Sequence, residues 1–583
     1  MSNKYFITSW LYLSLFTIGS VSASPSTIAP ELASAKIQQK LVTGKNSLVV
    51  TNNPYASRAA NQILAKGGSA CDAAISAAFV LGLTEPQSSG IGGGGYALSY
   101  SSKNKSLNAF DGRETAPLKA NSKWFLAADG SPLKFESAML STHAVGVPGE
   151  VALFYKMHQK CGKLKWDSLL QPAIKLATDG FNMSPRLYGL LLADTDILKT
   201  DPSITAVYFE STGLVKPVGD IVKNPEYAAS LKLIAKNPTN FYSGKLSRDI
   251  IHAVNHRAGQ EIFTPRDFTN YQVLVKPSVC SNYRDSYQIC SVPPSSSGGV
   301  TVAELMNLYA LSYDTQNVND PQWPYYFLEA SKLAFADRNQ YLADPAFVKK
   351  QPVNGLLAAK YLHGRAELIG ETALATPVIA GTPAGIDPLY APDNSPKPHG
   401  TTSIAIVDKS GNAVSMTVTV EHQFGSHIFV DGFFLNNELT DFSFAPTAAN
   451  GQPIANRVEA GKRPRSSIAP VMVFAKPKNQ LLAVTGSPGG SQIICYVAKN
   501  LIQTLDMHQS PLEAVSSGNL CAPNTTAQLE QNMDWSFAES ALSAHGESVN
   551  YVPLVSGVTT IFKTSDGWAG AADPRREGLA IGE

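Results

Sequence analysis

The sequence predicts an α+β protein whose two halves differ in character. Three observations carry this. Residues 53–83 hold two consecutive helix signatures, and residues 120–370 alternate helical stretches with loops. Beyond a proline-rich segment that ends at Gly400, the pattern changes abruptly to strands, beginning with "TTSIAIVD" (401–408).

The N-terminus comes first. Lys4 precedes a short apolar run, Trp10 to Val21, and Val21-Ser22-Ala23 has the small-x-small form of a signal-peptidase site. Residues 1–23 are therefore expected to be a signal peptide on an exported protein, periplasmic or secreted. Neither this run nor any later one is long enough to span a bilayer comfortably. With 47 Lys+Arg against 46 Asp+Glu, the chain lacks the basic excess of a nucleic-acid binder. Export permits disulfides, and Cys280 and Cys290 bracket a short segment they can staple as a hairpin. Cys71 lies in an alanine-rich helix and reads as a small core residue. No CxxC or His-rich spacing occurs, so no metal site is expected.

In "NPYASRAANQILAKGG" (53–68), Asn53 is an N-cap, Pro54 takes the first helical position and Gly67-Gly68 stops the helix. In "SACDAAISAAFVLGL" (69–83), Ser69 and Asp72 form a capping-box start to a nearly all-apolar, buried helix. "EPQSSGIGGGGYALSY" (85–100) satisfies G-x-G-x-x-G through Gly90, Gly92 and Gly95. A helix precedes those glycines and a strand, Tyr96 to Tyr100, follows, the reverse of a dinucleotide fingerprint. A tight turn with close backbone approach is the better reading. "WPYYFLEASKLAFADRNQYLADP" (323–345) reads as an amphipathic helix ended by Asp344-Pro345. Six prolines between 376 and 400 mark an extended, exposed linker.

After the linker, Lys409-Ser410-Gly411 fits a three-residue hairpin loop with Gly411 in the left-handed position. If Asp408 and Asn412 flank it, Thr401 lies across from Thr419 and Ser403 from Thr417 on a polar face. Ile404, Ile406, Val414, Met416 and Val418 form the apolar face. A threonine hydroxyl needs a base to act as a nucleophile. Cutting the bond before it supplies one, since the new α-amine has a pKa near 8. A linker ending in glycine exposes such a bond.

The hairpin stands among other spaced motifs: "FDGRETAP" (110–117), "GVPGEVA" (146–152), "VPPSSSGG" (292–299), "EASKLAFADRNQYLADP" (329–345), "LNNELTDFS" (435–443), "GKRPRSSIAP" (461–470), "TGSPGGSQII" (485–494) and "DPR" (573–575). In this order they resemble the γ-glutamyltranspeptidase family of N-terminal-nucleophile hydrolases. The resemblance implies a four-layer αββα sandwich, formed by two chains after self-cleavage between Gly400 and Thr401. The large subunit would be 24–400 and the small one 401–583. It implies Thr401 as nucleophile, Thr419 as the threonine that holds it, and backbone N–H groups of Gly489 and Gly490 as oxyanion donors. Arg113, Ser466 and Ser467 would bind the α-carboxylate of a γ-glutamyl group, and Glu438 and Asp441 its α-ammonium. No cofactor is implied. The partners would be glutathione and other γ-glutamyl compounds, with water, amino acids or peptides as acceptors.

Some positions depart from the family pattern. Glu421 replaces the usual Asn two residues after Thr419, so a carboxylate either strengthens the hold on the ammonium or changes donor preference. Ser403 replaces a usual His. Arg465 replaces an apolar residue before the serine pair and either adds charge beside the carboxylate site or points to solvent. Two other readings compete: a glutaryl-type acylase on the same fold, disfavoured because Glu438 and Asp441 would stand unpaired, and an inert exported binding protein, disfavoured by the intact Thr401, Thr419, Arg113 and glycine pair.

Overall fold

The computed structural model describes residues 37–386, 389–393 and 400–583. The signal peptide expected at 1–23 lies outside the described residues, as does the linker stretch 394–399. The first two helices form where their caps direct. Asn53 Oδ1 accepts from the Tyr55 N–H at 3.0 Å at the head of Pro54–Ala65. Ser69 and Asp72 close a reciprocal capping box on Ala70–Thr84. That second helix is buried along its whole length. Full burial of each large side chain in it, such as Ile75 or Phe79, stabilises the fold by about 1.5–3 kcal/mol.

Two seven-stranded antiparallel sheets form the centre. One runs in the order Leu579–Gly582, Leu48–Thr51, Gly400–Val407, Ala413–Glu421, Gly94–Ser101, Ser106–Gly112, Leu274–Pro277. The other runs Val42–Gly44, Gly567–Ala572, Thr559–Thr564, Gln480–Gly486, Val471–Ala475, Tyr287–Ser291, Val279–Tyr283. Ile404, Ile406, Val414, Met416 and Val418 join the core that the first sheet makes with the helices Pro54–Ala65 and Ala70–Thr84. Ala405, Val407 and Ala413, on the opposite face, join the core shared with the second sheet and its helices Gly298–Ser312, Trp323–Tyr341 and Ile493–Leu505. The order helix, sheet, sheet, helix is the expected four-layer sandwich. The polar face of the hairpin is thus buried, and its hydroxyls bond across the gap: Ser403 Oγ meets Thr559 Oγ1 at 3.0 Å, and Ser415 Oγ donates to the Thr485 carbonyl at 2.8 Å.

The hairpin turns as expected, with Gly411 at φ +76° and the Asp408 N–H donating to the Asn412 carbonyl at 2.9 Å. Thr402↔Val418 and Ser403↔Thr417 keep the expected register. The expected direct pairing of Thr401 with Thr419 is displaced, because the ladder resumes at Gly400↔Glu421. A bulge therefore lies between these pairs, with Thr401 on one strand facing Thr419 and Val420 on the other.

Three expectations need correction. Cys71 is not a lone core thiol: it forms a disulfide with Cys161, because the start of its helix faces the end of helix Glu150–Cys161. Cys280–Cys290 staples its hairpin, and Cys495–Cys521 forms a third bridge. The helix from Trp323 ends at Tyr341 and is buried almost throughout rather than amphipathic, since strand Leu520–Cys521 and helix Ser536–Ala544 cover its outer side. The proline-rich linker is not exposed throughout: Ala391 and Asp393 are buried, with the Ala391 N–H donating to the Pro453 carbonyl at 2.9 Å.

The closing "DPR" motif is a buried charge network. Arg575 donates to both Glu530 oxygens at 2.7 and 2.6 Å and to Asp573 at 3.1 Å. Burial alone would raise the Asp573 pKa. The Arg575 guanidinium, the Ser556 hydroxyl and two backbone N–H groups outweigh it and hold the carboxyl below the usual range. A depressed carboxylate stabilises the fold above its unfolded pKa and loses that contribution as pH falls through the folded value. Asp573→Asn is therefore expected to lower stability at neutral pH by about 3–5 kcal/mol, with the gap to wild type closing below about pH 4. Denaturant melts across pH measure this, and a gap that stays constant into acid would contradict it.

Candidate active site

The bulge in the hairpin sets the geometry at Thr401. Glu421, at its end, has φ +82°, a conformation that costs a non-glycine residue energy and that the surrounding structure must hold. The turn places the Glu421 N–H 2.8 Å from Thr419 Oγ1, which accepts it. Thr419 Oγ1 in turn donates to the Gly400 carbonyl, and Thr401 Oγ1 donates to the same oxygen. The two threonine hydroxyls stand 3.5 Å apart. The strand is fixed from its other side: Asn52 Oδ1 accepts from the Ser403 N–H at 2.7 Å, and Arg576 donates to the Thr401 carbonyl at 3.2 Å. The glycine run at 90–95 permits this approach, since a Cβ on Gly93 would sit 2.0 Å from the Thr419 carbonyl oxygen.

Thr401 and Thr419 line one pocket together with Arg113, Glu421, Glu438 and Asp441. Ser466, Ser467 and Gly490 line it too. Gly489 stands immediately before Gly490 but outside the lining; its φ of +130° turns the chain into the short 3₁₀ turn that starts helix Ile493–Leu505. A Cβ there would sit 2.4 Å from the Tyr496 ring.

Arg113 follows the strand Ser106–Gly112, and its buried guanidinium pairs with both Glu438 and Asp441 of the 3₁₀ turn Glu438–Asp441. Burial disfavours the Arg113 charge, but these carboxylates more than offset it and raise its pKa. Glu438 is itself pushed well up, by burial first and by the neighbouring carboxylates, with Arg113 opposing. Glu421 accepts from Asn437 Nδ2. Behind them lies Glu114, which the sequence reading passed over. Its carboxyl oxygens have no hydrogen-bond donor among the described residues, and the Arg113 guanidinium is 4.0 Å away.

The serine pair has an asymmetric hydrogen-bond state. Ser466 Oγ accepts from the Ile468 N–H at 3.1 Å, and Ser467 Oγ accepts from Arg338 at 2.6 Å. Neither hydroxyl donates to an acceptor among the described residues. Both O–H groups are left as donors at the pocket wall. Arg465 does not reach solvent, one of its two expected placements. It is buried, donates to Asp393 Oδ2 at 3.1 Å and to the carbonyls of Arg338 and Asn339 at 3.3 Å. Ser403 bonds across the sheets to Thr559 and lies outside the pocket lining. Among the described residues no group of three or more His, Cys, Asp and Glu side chains is arranged to hold a metal ion, and no helix is long and apolar enough to cross a membrane.

A sequence profile of the family Gamma-glutamyltranspeptidase matches residues 56–583. The chain belongs to the γ-glutamyltranspeptidase family. Among curated relatives, it is 32% identical over 558 residues to a glutathione hydrolase proenzyme of Bacillus subtilis, covering 92% of each chain. It is 33% identical over 552 residues to a glutathione hydrolase proenzyme of Escherichia coli, covering 92% of this chain and 91% of the relative. Among solved structures, a cephalosporin acylase from Bacillus halodurans superposes with a TM-score of 0.81 at 25% identity, over 94% of this chain and 97% of that one. A γ-glutamyltranspeptidase from Pseudomonas nitroreducens gives 0.51 at 31% identity, over 56% and 95%.

Asn52, Glu114, Arg338 and Arg576 bear on the pocket of this family member and were not singled out from sequence. Glu114 and Arg338 lie inside quoted motifs, "FDGRETAP" and "EASKLAFADRNQYLADP", which is the signal that points to them. Burial pushes the Glu114 pKa up to about 8; Arg113 opposes this, and Asp441 and Glu421 add to it. A raised carboxyl stabilises the fold below its unfolded pKa and loses that contribution as pH rises through the folded value. Glu114→Gln, neutral at every pH, is expected to lose less melting temperature than wild type between about pH 6 and about pH 9. Equal losses in thermal melts would refute the assignment.

Proposed function

We propose that this family member cuts itself between Gly400 and Thr401 and then transfers γ-glutamyl groups from glutathione and related compounds to water, amino acids or peptides. The observation that carries the reading is the convergence of the Thr401 and Thr419 hydroxyls on the Gly400 carbonyl, inside the pocket that holds Arg113 and the acids. In maturation, Thr401 Oγ attacks the Gly400 carbonyl carbon while Thr419 donates to its oxygen. Collapse breaks the Gly400–Thr401 peptide bond, leaves an ester on Thr401 and frees its amine; water then hydrolyses the ester. The products are a large subunit, 24–400 after signal removal, and a small subunit, 401–583.

In turnover, the Thr401 α-amine takes the hydroxyl proton as Oγ attacks the γ-carbonyl of the donor. The backbone N–H groups of Gly489 and Gly490 receive the oxyanion. The leaving amine departs protonated, and the γ-glutamyl ester on Thr401 is resolved by water or an acceptor amine. The zwitterionic end of the donor suits the pocket. Its carboxylate takes Arg113 and the free O–H donors of Ser466 and Ser467. Its ammonium takes Glu438 and Asp441, whose existing pairing with Arg113 is exchanged for two complementary ones. Glu421 adds a further carboxylate on the ammonium side. Export to the periplasm or the medium is part of this reading.

The cephalosporin acylase likeness supports a second reading, an acylase for glutaryl-type side chains. Contrary to the expectation from sequence, Glu438 and Asp441 are not unpaired, since Arg113 bridges both; a glutaryl carboxylate that took Arg113 from them would bring no ammonium in exchange. Thr401→Ala is expected to remain one uncut chain on a denaturing gel and to release no chromophore from a γ-glutamyl anilide. Two normal subunits from that variant would end the self-cleavage reading. Wild type is expected to favour the γ-glutamyl over the glutaryl anilide by about 10-fold or more in kcat/KM; the reverse order would favour the acylase.

A further inference from the structure

Two motifs, "VPPSSSGG" and the helix Trp323–Tyr341, contribute neither the nucleophile nor the acids, yet they meet directly behind the serine pair. Their meeting point is Arg338, which is buried. Its guanidinium donates to Ser467 Oγ at 2.6 Å, to Ser297 Oγ at 2.8 Å and to Asn339 Oδ1 at 2.9 Å. Ser297 passes the constraint on: its hydroxyl and its N–H both donate to the Ser466 carbonyl, at 2.6 and 2.8 Å. Arg338 thus grips both serines, one by side chain and one through its backbone.

The charge arrangement is unusual. Arg113 is paired with two carboxylates and Arg465 with Asp393. Arg338 contacts no carboxylate among the described residues; its three partners are neutral. A buried guanidinium without a counter-charge is costly unless the site is built to receive an anion. A guanidinium has only donors. Bonded to Ser467 Oγ, it occupies a lone pair and forces the hydroxyl proton to point elsewhere. The Ile468 N–H does the same to Ser466.

We propose that Arg338 is a positioning residue that turns the Ser467 hydroxyl outward as a donor, holds Ser466 in place through Ser297 and sets a guanidinium with no salt-bridge partner among the described residues behind them, so that the pocket selects donors with a free α-carboxylate. This rests on the γ-glutamyl reading above. A substrate with hydrogen in place of the α-carboxylate, the 4-aminobutyryl group, keeps the ammonium and the scissile carbonyl but gives the serines nothing to bond.

The test compares Arg338→Gln, Arg338→Lys and wild type on γ-glutamyl and 4-aminobutyryl anilides, after a gel shows that each variant has the same chain pattern as wild type. Arg338→Gln is expected to lower kcat/KM for the γ-glutamyl anilide by about 10-fold or more, mainly through KM, and to leave the 4-aminobutyryl value unchanged. Arg338→Lys, which keeps the charge but not the fork, is expected to fall between. Equal losses on both substrates, or no loss on either, would overturn the proposal. If wild type releases neither anilide, the acyl-transfer reading fails on its own. Calorimetry then still decides on Arg338, because the preference for L-glutamate over 4-aminobutyrate should shrink about 10-fold in Arg338→Gln; an unchanged preference would overturn it.

Discussion

The convergence of two threonine hydroxyls on one carbonyl oxygen is the constraint on which the rest of this structure depends. In an unbroken ladder, Thr401 and Thr419 would face each other as an ordinary cross-strand pair. The bulge changes that. It sets Thr401 against two residues, bends the strand end and lets Thr419 reach the Gly400 carbonyl while accepting from the Glu421 N–H. The energy stored in the left-handed Glu421 backbone is offset by two fully buried hairpin strands whose two faces belong to different cores. Gly93 and Gly95 serve the same end, since a Cβ on either would sit 2.0 and 2.3 Å, respectively, from the Thr419 and Thr417 carbonyl oxygens.

Around that centre the pocket is organised by where charge is balanced and where it is not. On one side, a single Arg113 is shared between two acids, with Glu114 behind them, its pKa raised by burial. On the other side, Arg338 bonds only to neutral groups, the Ser467 and Ser297 hydroxyls and the Asn339 amide oxygen. A ligand carrying one positive and one negative group at a single carbon satisfies both sides at once. A singly charged ligand satisfies only one, which is a physical basis for selectivity without a large apolar pocket.

Local signals in the sequence carried much of the fold. Asn53, Ser69 with Asp72, and Gly411 act through backbone geometry within a few residues, so their effects can be read directly. The register of the hairpin followed from its loop as far as Thr402. The bulge beyond was not legible, because it depends on Gly400, Glu421 and packing from the glycine run, which are far apart in the chain. Burial of helix Trp323–Tyr341 and the Cys71–Cys161 bridge were hidden for the same reason: each depends on which distant element covers a face. Thr401 and Thr419 were legible from the hairpin itself; Arg113, Glu421, Glu438, Asp441, Ser466, Ser467 and Gly490 were nameable only through family resemblance, whereas Glu114 and Arg338 act one layer back. Their importance appears only when hydrogen-bond partners are counted.

The central claim is that the bond beneath the two threonines is the one that breaks. N-terminal sequencing of the smaller chain of the purified wild-type protein tests it most directly. The account predicts a chain beginning Thr401-Thr402-Ser403-Ile404. A single unbroken chain, or a smaller chain beginning at any other residue, would contradict it.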